Sequence, residues 1–220
     1  MSHPHHDLFE NRRQFQLERM ILFSDAVFAI AITLLVIELK VPEMEQGESV
    51  GHALIRSNFI FGILGLLLSF GVIGQFWTNH HRLFGYVTNY DGSLLWLNLH
   101  MLFWIVLMPF SSALNSRYGN NDMVWMIYSF NMFMIGISIY FLWRYITNPK
   151  RNLSEIAHNE GQRRMARARS FLISCIFLSG ALLALLPKPY SWSARMVFGL
   201  IFPVISILKR RYAQKNNPAH

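Results

Sequence analysis

The chain has 220 residues, 53% hydrophobic and 15% charged, with a formal net charge of +8. So apolar a composition excludes an ordinary soluble domain and points to a membrane protein. The excess positive charge is sorted among the connecting segments, which marks membrane orientation and not a nucleic-acid surface.

Six apolar runs follow one another, at residues 21–41, 58–77, 93–110, 124–145, 171–186 and 194–208. Each is near the ~20 residues a spanning helix needs, the last two being short. The expected fold class is therefore an all-α membrane protein. Its six transmembrane helices form one compact bundle at 19–208, between an N-terminal tail at 1–18 and a basic tail at 209–220. Glu10 and Glu18 precede the first run and no small-residue cleavage pattern follows it, so that helix is expected to stay in the mature chain.

The first run carries Asp25 near one end and Glu38 near the other. Arg19 precedes Asp25 by about one and a half turns and offers it a charge partner. Ala26, Ile30, Thr33, Leu34 and Ile37 recur at i, i+4, i+7, i+8 and i+11 and share one helical face, while Asp25, Ala29, Ile32 and Val36 lie on another. Such a stripe suits either bundle packing or the lining of a pore.

Further along, Gln75, His80 and His81 close the second run, and Asn98 and His100 stand inside the third. Polar groups at membrane depth are costly unless partnered, so these are the candidate chemical residues. The turns "NNDM" and "PKPYSWS" are short and of ordinary turn composition. Cys175 is alone in the fifth run and has no intrachain disulfide partner. The longest connection, "NPKRNLSEIAHNEGQRRMARARS", is strongly basic, and is expected to lie as helix or loop against anionic headgroups.

Of the 20 Lys and Arg residues, only Lys40, Arg56, Arg117, Lys188 and Arg195 fall on the side opposite the termini. Both termini are thus expected in the cytoplasm, which requires an even number of spans. Neither HExxH nor GxSxG occurs, and adjacent His80 and His81 point about 100° apart on a helix, so no metal site is expected. A metal-dependent intramembrane hydrolase and an ion-coupled secondary transporter are the alternatives from other functional classes. The one deep carboxylate near a helix end argues against the transporter.

The stretch "RMILFSDAVFAIAITLLVIELKVP" resembles the RxxxFSD signature that opens the first helix of the transmembrane protein 175 family, with Arg19, Phe23, Ser24 and Asp25 matching. "QFWTNHHRLF" and "LMPFSSALN" are similar to the same family, so the likeness is most specific over residues 19–115. The resemblance implies a potassium-permeable channel with no TVGYG filter and no cofactor, only permeant potassium. It also implies a homotetramer in a bacterial plasma membrane, its partners further copies and lipid, with the first helix of each subunit lining a central pore. Carried over by position, Ile30, Leu34 and Ile37 would form a hydrophobic constriction with Thr33 as a polar layer. Arg19, Ser24 and Asp25 would join Trp77 and one of His80 or His81 in a hydrogen-bond network that holds the pore helix.

Overall fold

The computed structural model of the chain describes residues 4–39, 41–57, 59–188, 193–196 and 199, with backbone alone for 4–11. Lys40, most of the sixth apolar run and the basic tail at 209–220 lie outside the described residues. The element order is α1 (Pro4–Leu34), α2 (Val50–Arg56), α3 (Phe59–Phe84), α4 (Gly92–Val106), α5 (Met108–Tyr118), α6 (Asp122–Ile146), α7 (Glu160–Leu183) and α8 (Ser193–Met196). Among the described residues, five segments are long and apolar enough to cross a membrane, with α4 and α5 acting as one span, Gly92–Tyr118. They correspond to the first five predicted runs.

The helices pack through the stripes that their periodicity dictates. Along α1 and into the turn that follows it, the buried positions Leu17, Met20, Ser24, Phe28, Ala31 and Leu35 step by three and four residues, and this face meets α3 and α4. The helix tightens into a 3₁₀ turn over Leu35–Glu38. α3 contributes Ser69, Ile73, Phe76, His80 and Leu83, again one stripe. α6 is the central helix, buried from Trp125 to Ile146 against α4, α5 and α7.

Each break has a local cause. Pro109 sits in the first turn of α5 and lacks the N–H that would continue α4 unbroken. Asn121 caps α6 by accepting from Met123 N, and Asp91 caps α4 by accepting from Leu94 N at 2.8 Å, both satisfying orphan donors of a first turn. α6 ends where Thr147 returns its hydroxyl to Trp143 O at 2.6 Å. Arg167 from α7 then donates to Thr147 Oγ1 and to the carbonyls of Arg144 and Thr147.

α7 starts well before the apolar run at 171–186. The basic stretch from Arg163 to Arg169 is helical and forms its first turns. Where α6 and α7 meet, Gly136 lies so close to Ser174 that an added Cβ would stand 2.7 Å from its hydroxyl. On the opposite side of the bundle, Arg195 donates to Gly119 O at 2.6 Å and pairs with Asp122 at 3.5 Å, fixing the start of the sixth run against the α5–α6 turn.

Candidate pore helix and its polar anchor

Ser24 is fully buried, and its hydroxyl donates to Met20 O at 2.8 Å, one turn back on α1. Its oxygen accepts from Asn98 Nδ2 of α4 at 2.8 Å. The amide oxygen of Asn98 in turn accepts from His80 Nε2 of α3 at 2.9 Å. An amide oxygen cannot donate, so His80 carries its proton on Nε2. All three side chains are 0% exposed, and this chain of bonds ties α1, α3 and α4 together at one level. The His80 ring also packs between Phe28 and Phe84, with centroids 5.5 and 4.4 Å away.

A second pair lies beside it, nearer the surface. Trp77 Nε1 donates to Asp25 Oδ1 at 2.9 Å, and the indole stacks on His81 with centroids 5.5 Å apart. The adjacent histidines are therefore divided: His80 enters the buried chain and His81 lies on the Trp77 ring. Asn98, which sequence reading treated only as a polar residue at depth, is the hinge of the buried chain.

Arg19 is drawn into neither group. It is exposed, and its guanidinium lies 5.8 Å from the Phe15 ring centroid. The reason is azimuthal: six residues at ~100° each leave Arg19 and Asp25 about 120° apart around the helix. The charge partner expected from their separation along the chain is thus not made.

The stripe on α1 points away from the bundle. Ile30, Leu34 and Ile37 are 57%, 38% and 70% exposed, and Thr33 is exposed beside them. Ile32, on the neighbouring face, instead packs against the core, as its position predicts, whereas Ala29 and Val36 of that face are exposed. Thr33 donates its hydroxyl to Ile30 O at 2.9 Å, so its oxygen lone pairs are left to face outward. α1 thus has one face bolted by hydrogen bonds and the opposite face apolar and uncovered.

Two further polar layers bring in serines and an asparagine that the sequence does not single out, the second of them around His100. Ser69 and Ser112 share a hydrogen bond between α3 and α5, and Asn131 of α6 donates to Ser111 Oγ at 2.9 Å. His100 bonds Ser138 Oγ at 3.0 Å and receives Trp104 Nε1 at 3.3 Å. Among the described residues no three of His, Cys, Asp and Glu are grouped as metal ligands.

Comparison with known proteins bears on what this arrangement belongs to. Residues 19–109 match the family described as endosomal/lysosomal potassium channel TMEM175. A potassium channel of a Chryseobacterium species is 46% identical over 94 residues, 43% of this chain and 46% of that protein, so the match spans about half of that relative's length. A potassium channel of Chamaesiphon minutus is 33% identical over 153 residues, 68% of this chain and 75% of its own. The fold is similar to the crystal structure of a lysosomal potassium-selective channel TMEM175 homolog from Chamaesiphon minutus, with a TM-score of 0.69 and 26% identity over 90% of this chain and 98% of that one. With the Chamaesiphon minutus potassium channel matched over three quarters of its length, and with α1 from Arg19 onward and its polar anchor inside the matched region, the chain belongs to the TMEM175 family.

Proposed function

We propose that the chain is a potassium-permeable cation channel, assembled as a homotetramer around the outward face of α1. The observation that carries this reading is the apolar, uncovered stripe of Ile30, Leu34 and Ile37, aligned opposite the buried Ser24–Asn98–His80 chain. Four copies about one axis would cover that stripe and enclose a passage, which one bundle with its stripe on the outside cannot do. The related potassium channels support the choice of ion. In the assembly Ile30, Leu34 and Ile37 form a narrow aliphatic passage that resists wetting, and Thr33 adds a ring of oxygens between them. Ser24, Asp25, Trp77, His80 and His81 hold the helix, since aliphatic rings supply no directional bonds of their own. Arg19 shares the azimuth of Ile30 and Ile37, so its partner in this reading belongs to another copy. Both termini lie in the cytoplasm of a bacterial plasma membrane, in keeping with the distribution of Lys and Arg.

Purified protein in liposomes tests the proposal. A potassium gradient alone should drive flux, with no coupling ion and no added metal, and mass measurement in detergent should give four copies. A conducting monomer, or flux that requires a second ion, would contradict it.

A further inference from the structure

The arginines on the basic side of the bundle are not equally occupied. Arg167 caps the end of α6 through Thr147 and two carbonyls. Arg164 pairs with Glu160 at 3.1 Å, and Arg151 lies over the Tyr145 ring beside Asp91. Arg82 and Arg169 differ from these. They line one cavity of 290 Å³ between the ends of α3, α6 and α7, with Asn79, Gln162, Tyr86 and Trp143 around them. Among the described residues no carboxylate lines that cavity. Arg169 Nε is sealed from solvent and has no acceptor among the described residues.

Two guanidinium groups facing one space without a counter-charge repel each other, and a buried N–H without an acceptor is costly. Both costs disappear if an anion occupies the cavity. Guanidinium forks match the oxygens of a phosphate in particular, each offering paired N–H donors. The cavity also has a continuation. Asn79, Arg169 and Ser170 border, in addition, an apolar groove of 650 Å³ along α3, α6 and α7, walled by residues such as Leu68, Val72, Phe76, Ile173 and Gly199. A basic cavity at the membrane surface opening into an apolar groove has the two-part chemistry of a phospholipid.

We propose that this is a binding site for an anionic phospholipid. Arg82 and Arg169 hold its phosphate, the side-chain amides of Asn79 and Gln162 meet the rest of the headgroup, and an acyl chain lies in the groove. The proposal goes beyond ion conduction and does not depend on it, because its readout is retained lipid.

The test uses the full-length protein, reconstituted in vesicles of equal parts phosphatidylcholine and phosphatidylglycerol, re-extracted in mild detergent, and weighed by native mass spectrometry. The unaltered protein should retain phosphatidylglycerol over phosphatidylcholine. Arg169→Gln and Arg82→Gln should each reduce that retention roughly tenfold, the scale of a lost charge-assisted bond, and Arg169→Lys should restore part of it. Arg164→Gln, at an arginine already paired, should change nothing. Leu68→Trp, which fills the groove from its exposed edge and spares both arginines, separates the two sources of phosphate. It should expel the lipid, whereas a site for free phosphate would ignore it. Equal retention of both lipids, or full retention by folded Arg169→Gln and Arg82→Gln, would overturn the proposal. So would inorganic phosphate raising the melting temperature of lipid-free protein as far as phosphatidylglycerol does, with Leu68→Trp unaffected.

Discussion

Neighbouring side chains of the same type do different work here, and His80 and His81 show it most clearly. His80 donates to Asn98 from a fully buried position, while His81 rests on the outer Trp77 ring. Asn98→Leu keeps the volume but orphans His80 Nε2–H and removes the bond to Ser24. It is expected to destabilise the subunit by about 1–3 kcal/mol. His81→Ala removes only a stacked ring at the surface and should cost under about 1 kcal/mol. Reversible unfolding in detergent, followed by near-ultraviolet dichroism, compares the two, and equal losses would contradict the division of roles. Ser24, Asp25 and the histidines were legible in the sequence because polar residues stand out in apolar runs, whereas Trp77 came only from the family resemblance. The role of Asn98 was not legible, since its partner Ser24 lies 74 residues away on another helix and no local spacing encodes that. The Arg19–Asp25 charge pair is not made, because separation along the chain does not fix azimuth.

At the scale of elements, the apolar runs located the five described spans, but their ends depended on features that hydropathy hides. α7 begins among arginines, whose charge masks the helical pattern, although Asn159 caps it in the ordinary way by accepting from Gln162 N. Within the contact of α6 with α7, Gly136 lies tight against Ser174. Ser174 Oγ is itself committed to Ser170 O at 2.8 Å, so it cannot swing aside freely. Gly136→Val should therefore force the helices apart at a cost of about 1–3 kcal/mol, seen as a lower melting temperature, while Gly71→Val, with open space around it, should cost less. The segment linking α1 to α3 has its own clasp. Glu48 accepts from Arg56 at 2.9 and 3.0 Å and meets His52 Nδ1 at 2.7 Å. Bonding to Arg56 first, and then to His52, lowers its carboxyl from the usual 4.5 to about 2. Because the folded value is the lower one, the clasp contributes fully above pH 4.5 and is lost as pH falls towards about 2. A carboxyl ¹³C titration should give a midpoint near 2, and Arg56→Gln should return it most of the way to the ordinary value.

For the whole molecule, the arrangement of α1 relates fold to proposed function. One face is fixed to α3 and α4 by buried hydrogen bonds, which holds the other face at a set angle. That outward face is apolar, and the chain itself sets nothing against it. The stripe was legible in the sequence as a periodicity, but periodicity alone serves packing and pore lining equally. The structure adds that the stripe is turned away from its own bundle. The sixth run falls largely outside the described residues, so the even number of spans expected from the charge distribution rests on that distribution alone.

The central claim is that α1 lines a cation pore through the face bearing Ile30. It is tested most directly by potassium flux per assembled protein in liposomes for Ile30→Asn beside Ile32→Asn. Ile30→Asn places amides where branched alkyl chains resist wetting, with little change in width, so basal flux should rise above that of the unaltered protein. Ile32 packs against the core, and an amide there should lower the yield of assembled protein without raising flux per assembly. No gain from Ile30→Asn, or an equal gain from both, would contradict the assignment of that face of α1 to the pore.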